Sequence, residues 1–494
     1  MIKKSFSYLS ITILFIGICH TIHAIAIEDK YFVVVIPSYN NQQWYERNLA
    51  SVMNQNYANF HVIYTDDCSP DGTGSLVEKY LEEHDSNHTV SLIKNNTRYG
   101  ALYNLYRMIN MCDDNTIIVT LDGDDWFPDN EVLTRLNNVY SSDEIWLTYG
   151  QFKLHPSATT GWASPMPDYI VENNSFRDFQ HLPTHLRTFY AWLFKQIKLE
   201  DLLYIGQFYS MTWDMVMMFP MIEMAGERHR FISDIMYIYN NANSISDHHV
   251  SRQLQAHLAQ VVKKKKRYIR LAEKPLSKKT SLEQKADVII FSQTPEQLHI
   301  LLKSLITYVE GINTISIIYK PSSDEEIESY NNIIQQYSEI EFYYIDKHRS
   351  NFQQTLLMLY RTTKSDYILF SKGDSCFQES VSLAECINDL ETTSSYAFYF
   401  KLNAQDGALK YPHLPMVICK DHVVAWNFSL AQSKWSSANS LDLVLHKKRN
   451  SLEMALQQYY DLTPIGLELA WSNEGNLDRL GLCFEKTKVT SSLQ

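Results

Sequence analysis

The stretch Thr116–Asp129 (TIIVTLDGDDWFPD) places three carboxylates directly after a run of apolar and β-branched residues. Its first part, through Leu121, has the length and composition of a buried strand in a parallel sheet. Asp122, Asp124 and Asp125 follow within four residues, and their mutual repulsion calls for a compensating cation. Hard oxygen ligands of this kind suit Mg²⁺ or Mn²⁺, and such a metal usually also binds substrate phosphates. The stretch therefore predicts an α/β fold with a metal site at the end of a central strand.

Strands and helices alternate from the start of the first domain up to this stretch. The segments Phe32–Ile36, His61–Thr65 and Thr89–Lys94 are predicted strands, and Gly74–Glu83 and Tyr99–Met111 are predicted helices. Alternation at this spacing predicts βαβ units on a mostly parallel sheet that is covered by helices on both faces. Ligands of such sheets bind beyond the carboxyl ends of the strands.

Three further polar clusters fall at those strand ends. They are Ile36–Asn40 (IPSYN), Thr65–Thr73 (TDDCSPDGT) and Asn96–Asn104 (NTRYGALYN). A carboxylate of Asp66 or Asp67 can accept a hydrogen bond from a nucleobase, although acids before a Pro-Asp-Gly turn are also typical of turn and capping chemistry.

Arg98 lies in the predicted first turn of a helix, where the helix dipole disfavours a cation. It is either a surface arginine or a residue that holds an anion such as a diphosphate.

Bulk properties limit the remaining choices. At 494 residues the chain is long enough for two or more domains. The net charge of −12 argues against nonspecific nucleic-acid binding, which needs a broadly basic surface. Residues 1–26 combine Lys3 and Lys4 with an apolar stretch and a small-residue cleavage site, which predicts a signal peptide or a signal anchor. We therefore expect export or a secretory-pathway lumen, with membrane association through this segment as an open alternative.

The βα rhythm restarts near residue 286, after a basic run, Lys263–Arg267. That run is either a membrane-attachment patch or a solvated helix end that leads into a linker at 263–285. Ser371–Asp374 (SKGD) then stands where the first half has Asp122–Asp125. One carboxylate beside Lys372 is a poor site for a divalent cation, so this second half is expected to lack metal-dependent activity.

Taken in order, the four motifs of residues 32–140 resemble the donor domain of family 2 glycosyltransferases, which adopt the GT-A fold and act with inversion. The resemblance implies that Pro37 and Tyr39 flank the nucleobase and that Asp66 or Asp67 reads its edge. It implies contacts of Arg98 with the nucleotide. It also implies a donor and metal site at the DxD element, made by Asp122, Gly123 and Asp124, but which of Asp122, Asp124 and Asp125 touches the metal stays open.

The resemblance also implies a catalytic base on a later helix, before a Tyr-rich strand. Asp214 is the predicted base and Glu223 the reserve, although Trp213 stands where the family usually has a Glu before this Asp. His185 and Arg187 are further polar candidates. His248 is a candidate to complete the metal shell, as a late histidine does in some relatives.

These inferences predict an α/β protein with two GT-A-like domains in tandem, at 30–262 and 286–488. The expected activity is that of a hexosyltransferase, which moves a sugar from a nucleotide-diphosphate donor, such as a UDP-sugar, to a hydroxyl of a glycan, protein or lipid acceptor with Mn²⁺ or Mg²⁺. The alternative is a non-catalytic protein that recognises glycans or nucleotide sugars. A phosphoryl transferase is disfavoured, because no G-x-x-x-x-G-K-[ST] loop follows any strand.

Overall fold

A computed structural model describes residues 29–141, 144–179, 183–243, 251–275, 284–345, 352–411, 413–420, 422–449, 452–455 and 479–491, with residues 464, 467, 468 and 471. The predicted signal segment at 1–26 and His248 lie outside the described residues. Within those ranges, no helix has the length and apolarity needed to cross a bilayer.

The first half alternates strands and helices as expected from the sequence. Its described strands are β1 (Phe32–Ser38), β2 (Phe60–Asp66), β3 (Val90–Lys94), β4 (Ile117–Thr120), β5 (Leu147–His155), β6 (Thr188–Tyr190), β7 (Leu203–Tyr204), β8 (Gln207–Phe208) and β9 (His229–Asn240). Its described helices are α1 (Tyr45–Met53), α2 (Thr73–His84), α3 (Ala101–Asn110), α4 (Val132–Tyr140), α5 (Asp168–Glu172), α6 (Ala191–Phe194), α7 (Trp213–Ala225) and α8 (Arg252–Lys264), with 3-10 helices at Phe176–Asp178 and Leu199–Leu202.

The first sheet has the strand order β3-β2-β1-β4-β6-β5-β9. Strands β3, β2, β1 and β4 are parallel, β6 runs antiparallel to both of its neighbours, and β5 and β9 are parallel. The central strands β1 and β4 are fully buried because they carry continuous apolar runs. This arrangement confirms the predicted α/β class with a mostly parallel sheet. It also brings the carboxyl ends of β1, β2 and β4 to one edge.

The second half has the described strands β10 (Ala286–Ser292), β11 (Val309–Glu310), β12 (Ile312–Tyr319), β13 (Glu341–Tyr344), β14 (Tyr367–Ser371), β15 (Ser375–Phe377), β16 (Val381–Ser382), β17 (Ala397–Asn403), β18 (Met416–Lys420), β19 (Val423–Asn427), β20 (Val444–Lys447), β21 (Leu480–Phe484) and β22 (Val489–Ser491). Its described helices are α9 (Pro295–Tyr308), α10 (Asp324–Gln336), α11 (Phe352–Thr362), α12 (Leu383–Thr393) and α13 (Ala404–Lys410), with 3-10 helices at Phe428–Leu430 and Ser433–Ser436.

The second sheet reproduces the connectivity of the first. Its order is β13-β12-β10-β14-β20-β17-β21-β19-β18, and the first seven positions match the first sheet in chain order and in strand direction. The two halves share one apolar cluster, in which Leu105 of α3 and Val417 of β18 both take part. The domain boundaries at 30–262 and 286–488 stay predictions.

One local expectation from the sequence differs from the structure. Helix α3 begins at Ala101, after Gly100 at φ 91°, so Arg98 lies in the loop before the helix. Arg98 is therefore free of the unfavourable helix-dipole position that its sequence suggested.

The basic run Lys263–Arg267 is built partly into the first half. The ammonium of Lys265 donates to the backbone carbonyls of Glu200, Asp201 and Leu203, at 3.2, 2.8 and 3.4 Å. Arg267 forms an ion pair with Asp178 at 2.6 Å. These contacts support neither a membrane-attachment patch nor a fully solvated linker at this point of the chain.

Candidate active site

A cleft of about 260 Å³ opens at the carboxyl ends of β1 and β4. It brings together seven of the residues predicted from the sequence: Pro37, Tyr39, Arg98, Asp122, Gly123, Asp124 and Asp214. It is also lined by residues that the sequence left without a role or named only as further candidates: Asn41, Ala101, Asp125, His185, Arg187, Thr212, Trp213, Tyr239, Asn243 and Gln255.

The acidic loop Asp122–Asp125, which follows β4, is held in place by its own last residue. Asp125 is buried, and its Oδ2 accepts a hydrogen bond from the Tyr237 hydroxyl at 2.5 Å, while its Oδ1 accepts one from the backbone N–H of Asn240 at 2.6 Å. The side-chain amide of Asn48 on α1 donates to the carbonyls of Asp122 and Asp125 at 2.9 and 2.7 Å. Asp125 and Asn48 therefore fix the loop, and both carboxylate oxygens of Asp125 are engaged within the protein.

A glycine is needed at position 123 because the end of β1 leaves no space for a side chain there. A Cβ at this position would lie 2.6 Å from Nδ2 of Asn41 and 2.7 Å from Oγ of Ser38. The backbone N–H of Gly123 also donates to the carbonyl of Pro37 at 3.3 Å. The glycine thus lets the acidic loop lie directly against the end of β1, beside Tyr39.

Asp122 and Asp124 carry the charge that faces the cleft. Burial, the neighbouring Asp124 and Asp214 raise the pKa of Asp122 to about 7, although Arg187 opposes the shift. Burial also raises the pKa of Asp124, whose Oδ2 accepts a hydrogen bond from Nδ2 of Asn243 at 2.7 Å. A bound cation would relieve the cost of ionising both groups at neutral pH.

Within the described residues, no three His, Cys, Asp or Glu side chains converge to hold a metal. Two carboxylates nevertheless fit a hard divalent cation whose remaining positions are filled by substrate phosphates and water. Asp122 and Asp124 provide such a partial set.

The two acids after β2 have different environments. Both oxygens of Asp67 are engaged, because Oδ1 accepts from Nδ2 of Asn95 and from the N–H of Tyr99, each at 2.9 Å, and Oδ2 accepts from the N–H of Gly100 at 2.7 Å. Asp66 is buried and its Oδ1 has no hydrogen-bond partner among the described residues. Asp67 therefore shapes the loop before α3, and Asp66 has an acceptor atom to spare.

Arg98 and Tyr39 form one side of the cleft. The guanidinium carbon of Arg98 lies 3.8 Å from the ring centroid of Tyr39, so the two side chains stack. Arg98 is exposed and lies in the loop that Asp67 organises. This stack places a cation and an aromatic face together at the mouth of the cleft.

Asp214 faces the cleft from α7, at the second residue of that helix. Its Oδ2 lies 3.3 Å from a terminal guanidinium nitrogen of the buried Arg187. Arg187 also lies 3.2 Å from Nδ1 of His185, and the His185 ring stacks on Tyr237 at 4.3 Å between centroids. Burial and the charge of Arg187 lower the pKa of His185, so this imidazole is neutral. Arg187, His185 and Tyr237 therefore form a row of contacts from Asp214 to Asp125 in the acidic loop.

The structure removes Glu223 from the list of catalytic candidates. Its side chain has no exposed surface and makes a bidentate ion pair with Arg177, at 2.6 and 2.8 Å. It also accepts from the backbone N–H of Tyr268 at 2.9 Å. Glu223 joins α7 to the segment after α8 and does not line the cleft. The sequence could not reveal this, because its partner Arg177 is 46 residues away.

Among known protein families, residues 33–203 match the model described as "Glycosyl transferase family 2". A curated relative, the putative teichuronic acid biosynthesis glycosyltransferase TuaG of Bacillus subtilis (strain 168), is 36% identical over 62 residues. Residues 33–203 lie within a family 2 glycosyltransferase domain. The matched region contains the acidic loop, Arg98 and Arg187, whereas Asp214 and Tyr237 lie beyond it. The GT-A class predicted for this half is confirmed.

Two solved structures are similar to part of the chain. S. aureus TarS 1–349 in complex with UDP-GlcNAc is 17% identical, with 47% of this chain and 65% of that chain covered and a TM-score of 0.35. The mannosyltransferase PcManGT from Pyrobaculum calidifontis in complex with GDP-Man and Mn²⁺ is 19% identical, with 49% and 66% covered and a TM-score of 0.32. The segment that is similar to TuaG is 13% of this chain and 25% of TuaG. In a longer structure of S. aureus TarS, 36% of the TarS chain is covered.

Proposed function

We propose that the chain transfers a hexosyl group from a nucleotide-diphosphate sugar, such as a UDP-sugar, to an acceptor hydroxyl with inversion. The observation that carries this proposal is the convergence of Asp122, Asp124 and Asp214 on one cleft of a family 2 domain. A cleft that only recognises a nucleotide sugar needs no carboxylate on the acceptor side.

The nucleotide would bind along the ends of β1 and β2. Pro37 and Tyr39, which line the cleft, would flank the base, and Asp66 at the end of β2 would accept a hydrogen bond from its edge. Arg98, stacked on Tyr39, would hold the negative charge of the diphosphate. Asp67 acts indirectly in this proposal, because it orders the loop that carries Arg98.

Asp122 and Asp124 would hold Mn²⁺ or Mg²⁺, which supplies positive charge to the departing diphosphate. The raised pKa of both carboxyl groups supports such a role, since two partly desolvated carboxylates repel each other. His248, a proposed further ligand, lies outside the described residues. Asn243 keeps Asp124 oriented, and Tyr237 keeps the loop fixed.

Asp214 would act as the general base. It takes the proton of the acceptor hydroxyl while the acceptor oxygen forms its bond to the anomeric carbon. The bond from that carbon to the diphosphate oxygen breaks on the opposite face, and its electron pair leaves with the diphosphate. Arg187 orients the Asp214 carboxylate for this step.

We further propose that residues 1–26 direct the chain to an exported or lumenal location, and that residues 286–488 form a second GT-A-like domain without metal-dependent transfer. The repeated strand order supports the second point. Expression of a reporter fused to residues 1–26 tests the first, because a reporter that stays in the cytosol contradicts it.

The function is tested by incubating the full chain with a panel of nucleotide sugars, with Mn²⁺ and with EDTA, and measuring the release of nucleotide diphosphate. Release from one donor in the presence of Mn²⁺ supports the enzyme. Tight donor binding with no release, in the presence of glycan, protein and lipid acceptors, supports the alternative recognition protein. Absence of both binding and release contradicts the proposed donor cleft.

A further inference from the structure

The second sheet has a cavity of about 530 Å³ beside the carboxyl end of the strand that corresponds to β4. It lies at the carboxyl ends of β14 and β17, which correspond to β4 and β5. Its volume is within the range of small-molecule sites, about 300–1,000 Å³. Polar side chains dominate its lining, among them Lys372, Lys401, Ser440, Asp442 and Glu468.

The loop after β14 aligns with the acidic loop after β4. Strand β14 pairs with β10 as β4 pairs with β1, and each is followed by a glycine that lies against that neighbouring strand. Alignment of Gly373 with Gly123 places Lys372 at the position of Asp122 and Asp374 at that of Asp124. The second cavity therefore has an ammonium group where the first cleft has its first acid.

The lysines of the cavity neutralise its acids from within the protein. The ammonium of Lys401 lies 2.7 Å from Oδ1 of Asp374 and 2.8 Å from Oδ2 of Asp442. The ammonium of Lys372 lies 2.7 Å from Oε2 of Glu468. Burial alone would raise the pKa of Asp374, but hydrogen bonding to Lys401 and its charge hold this pKa below the usual value. A divalent cation would meet two ammonium groups here, so electrostatics disfavour it.

The cavity offers hydrogen bonds without a net charge. Lys372, Lys401 and Lys434 line the cavity with Asp442 and Glu468. Asp374, which pairs with Lys401 just outside the lining, balances the third positive charge. Oδ1 of Asp442 is a buried acceptor that has no hydrogen-bond partner among the described residues. A ligand hydroxyl can donate to this atom. A carboxylate or a fully ionised phosphate has no hydrogen to donate to this atom.

We propose that this cavity binds an uncharged saccharide without a metal ion. Hydroxyl groups both donate and accept, so they match a lining in which ammonium groups, carboxylates and serine hydroxyls alternate. The site is separate from the donor cleft, and its ligand need not be the acceptor of the proposed transfer. Saccharide binding at this cavity would give the second half a function although the loop after β14 lacks the acidic motif of the first half.

The test uses the full chain on an array of uncharged oligosaccharides in EDTA, followed by titration of the best ligand. The variant Ser437→Trp fills the exposed rim of the cavity, and Ser380→Trp is a matched control at an exposed serine outside it. We expect one saccharide class to bind equally with and without Mn²⁺. Ser437→Trp should raise its Kd about tenfold or more, while Ser380→Trp leaves it unchanged.

UDP binding, measured in parallel, reports on the first cleft and on the integrity of the fold. It should be the same in both tryptophan variants. The proposal is overturned if no uncharged oligosaccharide binds in EDTA, if acidic oligosaccharides alone bind, or if the two tryptophan variants bind the saccharide equally well. Because the Asp124→Ala variant should retain saccharide binding, failure of the donor site can be told apart from failure of this site.

Discussion

A terminal guanidinium nitrogen of Arg187 lies 3.3 Å from Oδ2 of Asp214, and both side chains face the donor cleft. The Arg187 side chain is only 4% exposed, whereas that of Asp214 is 29% exposed, so the arginine is fixed and the carboxylate is open to a substrate. Arg187 also contacts His185, whose ring stacks on Tyr237. The orientation of the Asp214 carboxylate therefore depends on the row of contacts through Arg187, His185 and Tyr237, which also supports the acidic loop.

The first prediction concerns the positioning role of Arg187. Arg187→Gln should lower kcat on the order of 100-fold, because small misplacements of a reacting group have effects of this size. The Kd for UDP should change little, and Arg187→Lys should restore part of kcat. Arg135→Gln is the control, since Arg135 pairs with Asp129 in an ion pair outside the cleft. Equal losses of UDP binding and kcat would point to a merely structural role.

The second prediction separates binding from transfer at Asp214. Asp214→Asn keeps the size of the side chain but cannot take up the acceptor proton. We expect nucleotide binding to be retained and transfer to fall about 100-fold to 10,000-fold. Titration with UDP and a transfer assay measure the two properties. If the variant transfers sugar at the normal rate, the base lies elsewhere.

The third prediction follows from the buried pair of Glu223 and Arg177. Glu223→Gln leaves Arg177 buried without its charge partner, which costs about 3–5 kcal/mol of unfolding free energy in comparable cases. Chemical denaturation should show this loss. Glu227→Gln is the control, because Glu227 is exposed on the loop after α7. The folded Glu223→Gln enzyme should still transfer sugar, and a selective loss of kcat in a stable variant would contradict the structural role.

The first four strands and the acidic loop after β4 could be predicted from the sequence because these features are local. Apolar runs identify β1 and β4, and the acids follow them directly in the chain. The roles of Asp125, Asp67 and Glu223 could not be predicted in this way. Each depends on a partner far away in the chain, such as Tyr237 at 112 residues from Asp125.

Asn41 and Asn48 left a weaker trace in the sequence. They are seven residues apart, Asn48 on α1 and Asn41 four residues before that helix, and both are buried polar residues. A spacing of seven would place two residues on one face of a helix, but Asn41 lies before α1 and its side chain donates to the hydroxyl of Ser38. The sequence pattern does not distinguish these two residues from solvated ones, since α1 also has polar residues that are exposed.

The fourth prediction concerns pH. Burial lowers the pKa of His446 to about 3, so the folded state keeps this imidazole neutral while the unfolded state takes up a proton below about pH 6.5. The unfolded state therefore binds more protons between these values, and the unfolding free energy must fall as the pH falls through this window. The limit is about 1.4 kcal/mol per pH unit for one group.

Urea titrations at several pH values between 7 and 4 measure this slope. His446→Gln keeps a donor for the carbonyl of Ser440 but has no proton to gain, so its slope should be smaller than that of the wild type. His413→Gln, at an exposed histidine, should keep the wild-type slope. Equal slopes in all three proteins would show that His446 is protonated in the folded state.

The most direct test of the account is the consumption of a nucleotide-sugar donor by the wild type, Asp124→Ala and Asp129→Ala, in the presence of Mn²⁺. Asp124 lines the cleft, whereas Asp129 lies in the same loop and pairs with Arg135 outside it. We predict Mn²⁺-dependent release of nucleotide diphosphate by the wild type and by Asp129→Ala, and none above background by Asp124→Ala. Undiminished release by Asp124→Ala would contradict the assignment of this cleft as the site of sugar transfer.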